Sequence, residues 1–373
     1  MNLLYLAFRG FDEFNGISKK MRYQINAFKS NGFDVKVCYQ IMDSYNSSKR
    51  MIDDEILDDF GSGFISKFRK RFSYASLVGY IKQHKVKHLY IRYEHNASPS
   101  FISALKKIKR NGTQIVLEIP TYPYDKEYWK QGLKLRFHLL QDQCFRKRLA
   151  KQVCKIVTFS EHESIFGVPT VKISNGVDFE SVPVKTKKSK KADQLNLLGV
   201  AEIHIWHGFD RLILGLADYY KTNNSVKVCF DIIGYGAADY MNYLKALVAE
   251  NNMEEYVRFH GQQYGDALTT FFDEADMGVA SLARHRSHIY NIKTLKNREY
   301  AARGIPFIYS ETDTDFEKMS YIMKVPADES PIDIQQLVLF YEGIKETPQD
   351  IRNSISHLSW RDQMRKVINE AFI

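Results

Sequence analysis

Short apolar runs rich in β-branched and aromatic residues alternate along the chain with stretches of helical periodicity. In the first half the runs are LLYLAF (3–8), VKVCYQ (35–40), HLYIRY (88–93), QIVLEI (114–119) and KIVTFS (155–160). Between the first two, residues 18–31 carry Met21, Ile25 and Phe28 at helical spacing and close on Asn31-Gly32, a helix stop. The alternation restarts with LNLLGVA (195–201), VCFDIIGYG (228–236), VRFHG (257–261), MGVASL (277–282) and PFIYS (306–310). Strands separated by helical segments predict parallel sheets with crossover helices. Residues 354–372 place Leu358, Met364, Val367, Ile368 and Ala371 near helical spacing and predict a closing helix.

The two series are separated by PVKTKKSKKADQ (183–194), lysine-rich and without apolar periodicity, which reads as an exposed linker. The expected organisation is an α/β fold of two doubly wound, Rossmann-like domains facing across a cleft. Residues 1–180 are expected to form the first domain, 181–194 a linker and 195–353 the second; 354–373 form a closing helix able to return to the first domain. A length of 373 residues suits two cores rather than one.

Composition narrows this picture only a little. Hydrophobic residues at 44% and charged residues at 26% are average globular usage. Cys38, Cys144, Cys154 and Cys229 form no C-x-x-C pair, so neither a zinc site nor a disulfide framework is indicated, and a cytoplasmic setting is expected. The opening apolar run meets Arg9, Asp12 and Glu13 at once, too early for a signal segment, and no run reaches the roughly 18 residues of a membrane span. A formal charge of +9 implies an anionic partner. With no zinc-finger spacing, RRM signature or arginine-rich arm, nucleic acid is not expected to be that partner.

The most informative segment is NIKTLKNREYAARGIPF, 291–307. As a helix ending at Gly304 it puts Lys296 and Glu299 on one face, and its first turn, near Asn291 to Thr294, offers free backbone N–H groups to an anion. A carboxylate further along can accept from both hydroxyls of a ribose. Diphosphate at the tip and ribose on the flank describe a nucleotide. An exposed Lys296–Glu299 ion pair on an ordinary surface helix is the alternative.

TLKNREYAARGIPFI resembles the donor-site helix of the large retaining glycosyltransferase family 4, and KISNGVDFE, FDIIGYG and VRFHGQQYGDALTTFFDEADMGVAS match further family blocks in order. The resemblance implies the two-domain GT-B architecture and a retaining, metal-independent sugar transfer. The donor, a UDP-sugar by expectation, is a substrate, and no cofactor is implied. Glu299 would hold the donor ribose, with Lys296 and Asn291 beside it. Lys293, Thr294 and Leu295 would lie at the phosphate end, and His260, Gly261 and Gln262 beside the base. Gly234 would form a close turn, and Gly16 would approach the donor from the first domain unless it merely serves helix entry.

The chain departs from the family pattern in two places. Asn291 stands where the first glutamate of an E-x7-E pair is usual. Glu202 and His207 stand where an arginine and a lysine usually meet the diphosphate. Arg211 and Lys296 are the candidate replacement cations, with Lys293 and His207 behind them; a structural histidine is the alternative at 207. On the acceptor side, His95, Asn96, Tyr122 and Asp125 lie just past strand ends and can stack on or bind a saccharide or lipid-linked oligosaccharide. FISKFRKRF (64–72) and the basic, aromatic stretch 129–152 read either as sheet-packed helices or as contacts with an anionic membrane at its inner face. Surface polysaccharide or glycoconjugate assembly is the implied setting. A catalytically inactive scaffold subunit and, lower in rank, a nucleotide-sugar epimerase are the competing readings.

Overall fold

The computed structural model describes residues 2–12, 16–125, 133–186, 193–222 and 225–372. The chain divides into two compact units, 1–174 with 360–373, and 175–359.

The N-terminal unit is built on a sheet in the order β4-β3-β2-β1-β5-β6-β7-β9-β8. Its strands are β1 (Asn2–Leu6), β2 (Asp34–Met42), β3 (Ser48–Ile52), β4 (Glu55–Asp59), β5 (His88–Arg92), β6 (Gln114–Ile119), β7 (Lys155–Thr158), β8 (Ser164–Ile165) and β9 (Val168–Lys172). Pairings from β2 through β1, β5, β6 and β7 to β9 are parallel, while β3, β4 and β8 pair antiparallel at the edges. Central parallel strands are covered on both faces, which is why β1 and the centre of β5, Leu89 to Ile91, read as apolar runs. The period-two alternation sorts β1 between two cores. Leu4 and Leu6 pack with Leu77, Phe101, Leu105 and Leu139. Those side chains come from α3 (Ala75–Gln83), α4 (Pro99–Arg110) and α5 (Leu133–Ala150). Leu3, Tyr5 and Ala7 pack with Met21, Ile25 and Phe28 of α1 (Gly16–Ser30) and with Trp360, Met364 and Val367 of α12 (Trp360–Ala371). Burying such side chains stabilises by about 1.5–3 kcal/mol each, which fixes the closing helix in this unit. Helix α2 (Gly63–Phe72) is tied to α5 through Arg71, which reaches His138 and Gln141.

The C-terminal unit holds six parallel strands in the order β12-β11-β10-β13-β14-β15. They are β10 (Gln194–Ile203), β11 (Lys227–Gly236), β12 (Val257–Phe259), β13 (Met277–Val279), β14 (Phe307–Tyr309) and β15 (Ile322–Lys324). Its helices are α6 (Phe209–Tyr219), α7 (Ala238–Glu250), α8 (Gly265–Glu274), α9 (Leu295–Arg303), α10 (Ile334–Glu342) and α11 (Pro348–Ser354).

The division falls at Ser174, before the lysine-rich stretch rather than within it, because 175–185 is packed onto the C-terminal unit. Val177 is buried there, and Arg352 Nη1 donates to Val182 O at 2.7 Å. Lys185, expected to be an exposed linker residue, is half-buried with its side chain covered: its amide donates to Arg303 O at 2.8 Å and its Nζ lies 3.6 Å from Asp276. The rest of the stretch, 187–192, lies outside the described residues.

Candidate functional site

In the C-terminal unit the chain runs outward from β10 through β11 to β12, then crosses back to β13 and runs the other way. Open parallel sheets bind ligands at such a reversal, beyond the carboxyl ends of the strands. Four segments meet this edge: the turn after β10 (204–208), the segments after β13 (280–287) and β14 (310–313), and the first turn of α9.

Helix α9 starts and stops for local reasons. Thr294 caps it, its hydroxyl accepting from Asn297 N at 3.4 Å, and Gly304 ends it at φ +74°. A Cβ on Gly304 would sit 2.3 Å from Pro348 O, so no other residue fits. The first turn is held by a buried frame. Arg298 donates from Nη1 to Asp313 Oδ2 at 2.6 Å and to Thr294 O at 2.9 Å, and from Nε to Asn175 O at 2.9 Å. Asn175 Nδ2 in turn donates to Lys293 O at 2.6 Å. The amides of Leu295 and Lys296 are left without intrahelical acceptors, as in any first turn.

Beside this frame lies a group of buried polar atoms with no hydrogen-bond partner: Lys296 Nζ, Arg284 Nε, Ser281 Oγ and both carboxyl oxygens of Glu311. Buried polar groups are normally satisfied, so a cluster of exceptions marks a place built for something else. The group is electrostatically coupled. Burial first, then the Arg284 guanidinium, pulls the Lys296 ammonium down to about 7, against the attraction of Glu311. Burial pushes the Glu311 carboxyl up to about 7, against the pull of Arg284 and Lys296; its own amide opposes the shift without meeting hydrogen-bond geometry. Burial also lowers the affinity of Arg284 for its proton.

His207 completes the set. Burial, then Lys296 and Arg284, holds its imidazole far below the usual histidine range, so the ring is neutral. Its Nδ1 accepts from His204 N at 2.9 Å, which leaves Nε2 as the N–H donor. Three donors, one of them able to regain a full charge, thus converge with a carboxyl that burial drives toward its neutral form. An anionic ligand would satisfy all of them at once.

The structure rejects the surface ion pair between Lys296 and Glu299. Glu299, 42% exposed, receives Arg303 Nη2 at 3.3 Å, while Lys296 Nζ is buried. Arg211 is not brought to the cluster: its buried guanidinium donates to Ser330 O at 2.7 Å, Pro326 O at 3.0 Å, Asp328 Oδ1 at 3.2 Å and Leu282 O, and so ties the 326–330 segment to α6. Lys293 lies 3.8 Å from Asp315, Leu295 is exposed, and Asn291 is an exposed residue whose backbone bridges Thr312. Glu202 is exposed and 3.4 Å from His204 Nε2.

At the carboxyl ends of β11 and β12, Gly234 adopts φ +129° and donates to Gly261 O at 2.7 Å. A Cβ there would sit 1.7 Å from Ala201 O. His260 is held by Asp231 at 2.5 Å and packs on Phe271, while Gln262 is exposed.

In the N-terminal unit, Gly16 opens α1 and is exposed, and the preceding 13–15 lie outside the described residues. His95 (φ +53°) packs on Tyr124 with ring centroids 4.0 Å apart, and Tyr122 packs on Tyr124 and His162. Asp125 is bound by both terminal nitrogens of Arg146, at 2.6 and 2.9 Å, and Asn96 is half-buried. The four acceptor candidates thus gather beyond β5 and β6, with Asp125 already engaged. A separate cleft of about 680 Å³, lined by Lys82, Lys85, His88 and Thr113 among others, lies at the opposite, amino ends of β5 and β6.

Arg284, Ser281 and Glu311 were not among the sequence candidates. Nothing in their spacing sets them apart, since burial without a partner is a property of the folded unit.

No protein-family model matches the sequence, and no curated protein matches it. Solved structures do. Sucrose-phosphate synthase from Thermosynechococcus elongatus superposes with a TM-score of 0.65 at 14% identity, covering 100% of this chain and 99% of that one. The lipopolysaccharide outer core galactosyltransferase WaaB (0.59, 14%, 99% of each chain) and Anabaena HepE in complex with UDP (0.59, 13%, 98% of each) are also similar. The chain has the fold of the GT-B glycosyltransferases, two Rossmann-like units on parallel sheets.

Proposed function

We propose that the chain is a glycosyltransferase whose C-terminal unit binds a nucleotide-sugar donor. The observation that carries this reading is the set of buried polar atoms without a hydrogen-bond partner at the strand reversal, on Lys296, Arg284, Ser281 and Glu311, beside the neutral His207 and the first turn of α9. A diphosphate there would accept from Lys296, Arg284, His207 and the open amides of α9, while Glu299, one turn further along and half-exposed, would take the ribose hydroxyls. A structure similar to this one was solved with UDP, which supports a UDP-sugar as donor. The transfer we propose retains the anomeric configuration. Side-chain cations and amides, with no metal or cofactor invoked, stabilise the charge that grows on the departing diphosphate. The acceptor side belongs to the N-terminal unit around His95, Asn96 and Tyr122, with a saccharide or lipid-linked acceptor and a role in surface polysaccharide or glycoconjugate assembly.

The departures that suggested an inactive scaffold lose weight. Glu202 is exposed against His204, and Arg284 supplies a cation that the sequence pattern did not offer. A calorimetric titration with UDP, repeated on Glu299→Ala, tests the proposal: binding that weakens in the variant supports it. No UDP or GDP binding, or binding indifferent to Glu299, overturns it.

A further inference from the structure

Helix α2 carries Phe64, Phe68 and Phe72 at successive helical turns, with Ile65 beside them, and all four are exposed, Phe64 to 73%. The rings form a ladder, with centroids 5.2 Å apart from Phe64 to Phe68 and 5.9 Å from Phe68 to Phe72. Arg71 joins this helix to α5, its Nη1 2.7 Å from His138 Nε2 and its Nη2 donating to Gln141 Oε1 at 2.9 Å. On α5, Phe137 (67% exposed) and Leu140 are exposed as well. Scattered apolar side chains on a surface need no explanation, but a contiguous aromatic ladder joined to a second exposed pair does.

The charges around the ladder identify what it fits. Helix α2 contains Lys67, Arg69, Lys70 and Arg71 and no acidic residue. Helix α5 adds Arg136, Lys147 and Arg148, its Arg146 being taken by Asp125, and its one acid, Asp142, is buried. Aromatic rings flanked by cations match the interface of a bilayer with anionic headgroups, where rings enter the acyl boundary and cations meet phosphates. A two-fold copy of the same surface would set these like charges against one another, which disfavours self-association. Among the described residues no helix is long and apolar enough to cross a membrane, so the contact would be peripheral.

We infer that the α2–α5 face docks the N-terminal unit on an anionic lipid surface, with Phe64, Ile65, Phe68 and Phe137 inserted at the interface. This rests on a different unit and different residues from the donor reading, so either can fail alone. The test is co-sedimentation of the full chain with vesicles of phosphatidylcholine alone and of phosphatidylcholine with about one third phosphatidylglycerol. The expected result is partitioning about tenfold or more stronger on the anionic vesicles, weakened by salt. Phe64→Ser/Phe68→Ser should lose about tenfold of it, and Arg69→Glu should lose the anionic preference. Because these side chains are exposed, circular dichroism, melting and UDP titration should stay unchanged in both variants. Equal partitioning on the two vesicle types, wild-type binding by the double serine variant, or a dimer that the variant dissociates without change in vesicle binding would each overturn the inference.

Discussion

Replacing Lys296 with methionine should strengthen the ligand-free protein and weaken its hold on UDP. The ammonium falls from 10.5 to about 7 through burial and Arg284. At about 1.36 kcal/mol for each tenfold change in proton affinity, the charged form is roughly 5 kcal/mol worse inside than in water. Relaxation and water entry reduce what is measured, so the expected gain at pH 7 is about 1–3 kcal/mol. For a unit of this size that is a rise in Tm of roughly 2–10 °C. The sign follows from proton counts: between pH 7 and 10.5 the unfolded chain holds more protons on Lys296. The penalty is therefore full below pH 7 and gone above 10.5, and the gain from methionine fades across that window. Glu311 acts oppositely. Its folded carboxyl is raised from 4.5 to about 7, so stability falls as pH rises through that range, and the pair is least favourable near neutrality. Losing a charge-assisted bond to the diphosphate should cost about 1.5–3 kcal/mol, a Kd roughly 10- to 150-fold weaker. Thermal unfolding and calorimetry at pH 7 read both effects. UDP binding at wild-type strength would refute the placement, and a lower melting temperature would refute the electrostatic account.

Three further outcomes follow from the same geometry. UDP binding near pH 7 should take up roughly one proton, because Lys296 and Glu311, each half-protonated near 7, are both driven to full protonation; calorimetry in buffers of differing ionisation enthalpy measures it, and zero uptake contradicts it. Asp313→Ala should destabilise the C-terminal unit by about 1.5–3 kcal/mol in denaturant unfolding, since Arg298 loses its partner at 2.6 Å and keeps Asp315 as its remaining carboxylate. Arg211→Ala should lower stability by about 2 kcal/mol or more, yet leave the UDP affinity of the folded fraction within about twofold, because its guanidinium bonds to the 326–330 segment and Leu282.

Much of the scaffold could be read from the chain because the centres of β1, β5, β6, β10 and β11 are buried and appear as short apolar runs. The end of α9 was equally plain, since Gly304 carries its capping role locally, but its start was not: the first turn expected near Asn291 to Thr294 begins only at Leu295, with Thr294 as the cap. The β3–β4 hairpin escaped notice because it is edge structure written in charged residues. Its Arg50 is buried, against the usual polar-outward pattern, and held by Asp58 at 2.7 Å and by the rings of Phe60 and Tyr74. The candidate site was half legible. Lys296 and Glu299 stood out through the resemblance of their segment, since their spacing alone fits a surface ion pair equally, and His207 through its block. Arg211 looked like a phosphate cation because it follows that block, and only the folded unit shows its donors consumed by carbonyls. Arg284 and Glu311 come from separate loops after β13 and β14, and their significance arises only where the strand ends converge.

The most direct test of the account is a crystal structure of the chain grown with UDP. Phosphate oxygens are expected at about 3 Å from Lys296 Nζ and the His207 ring, with the ribose hydroxyls on the Glu299 carboxylate. UDP bound away from the β10–β13 strand ends, or at them with Lys296 Nζ still lacking a partner, would contradict it.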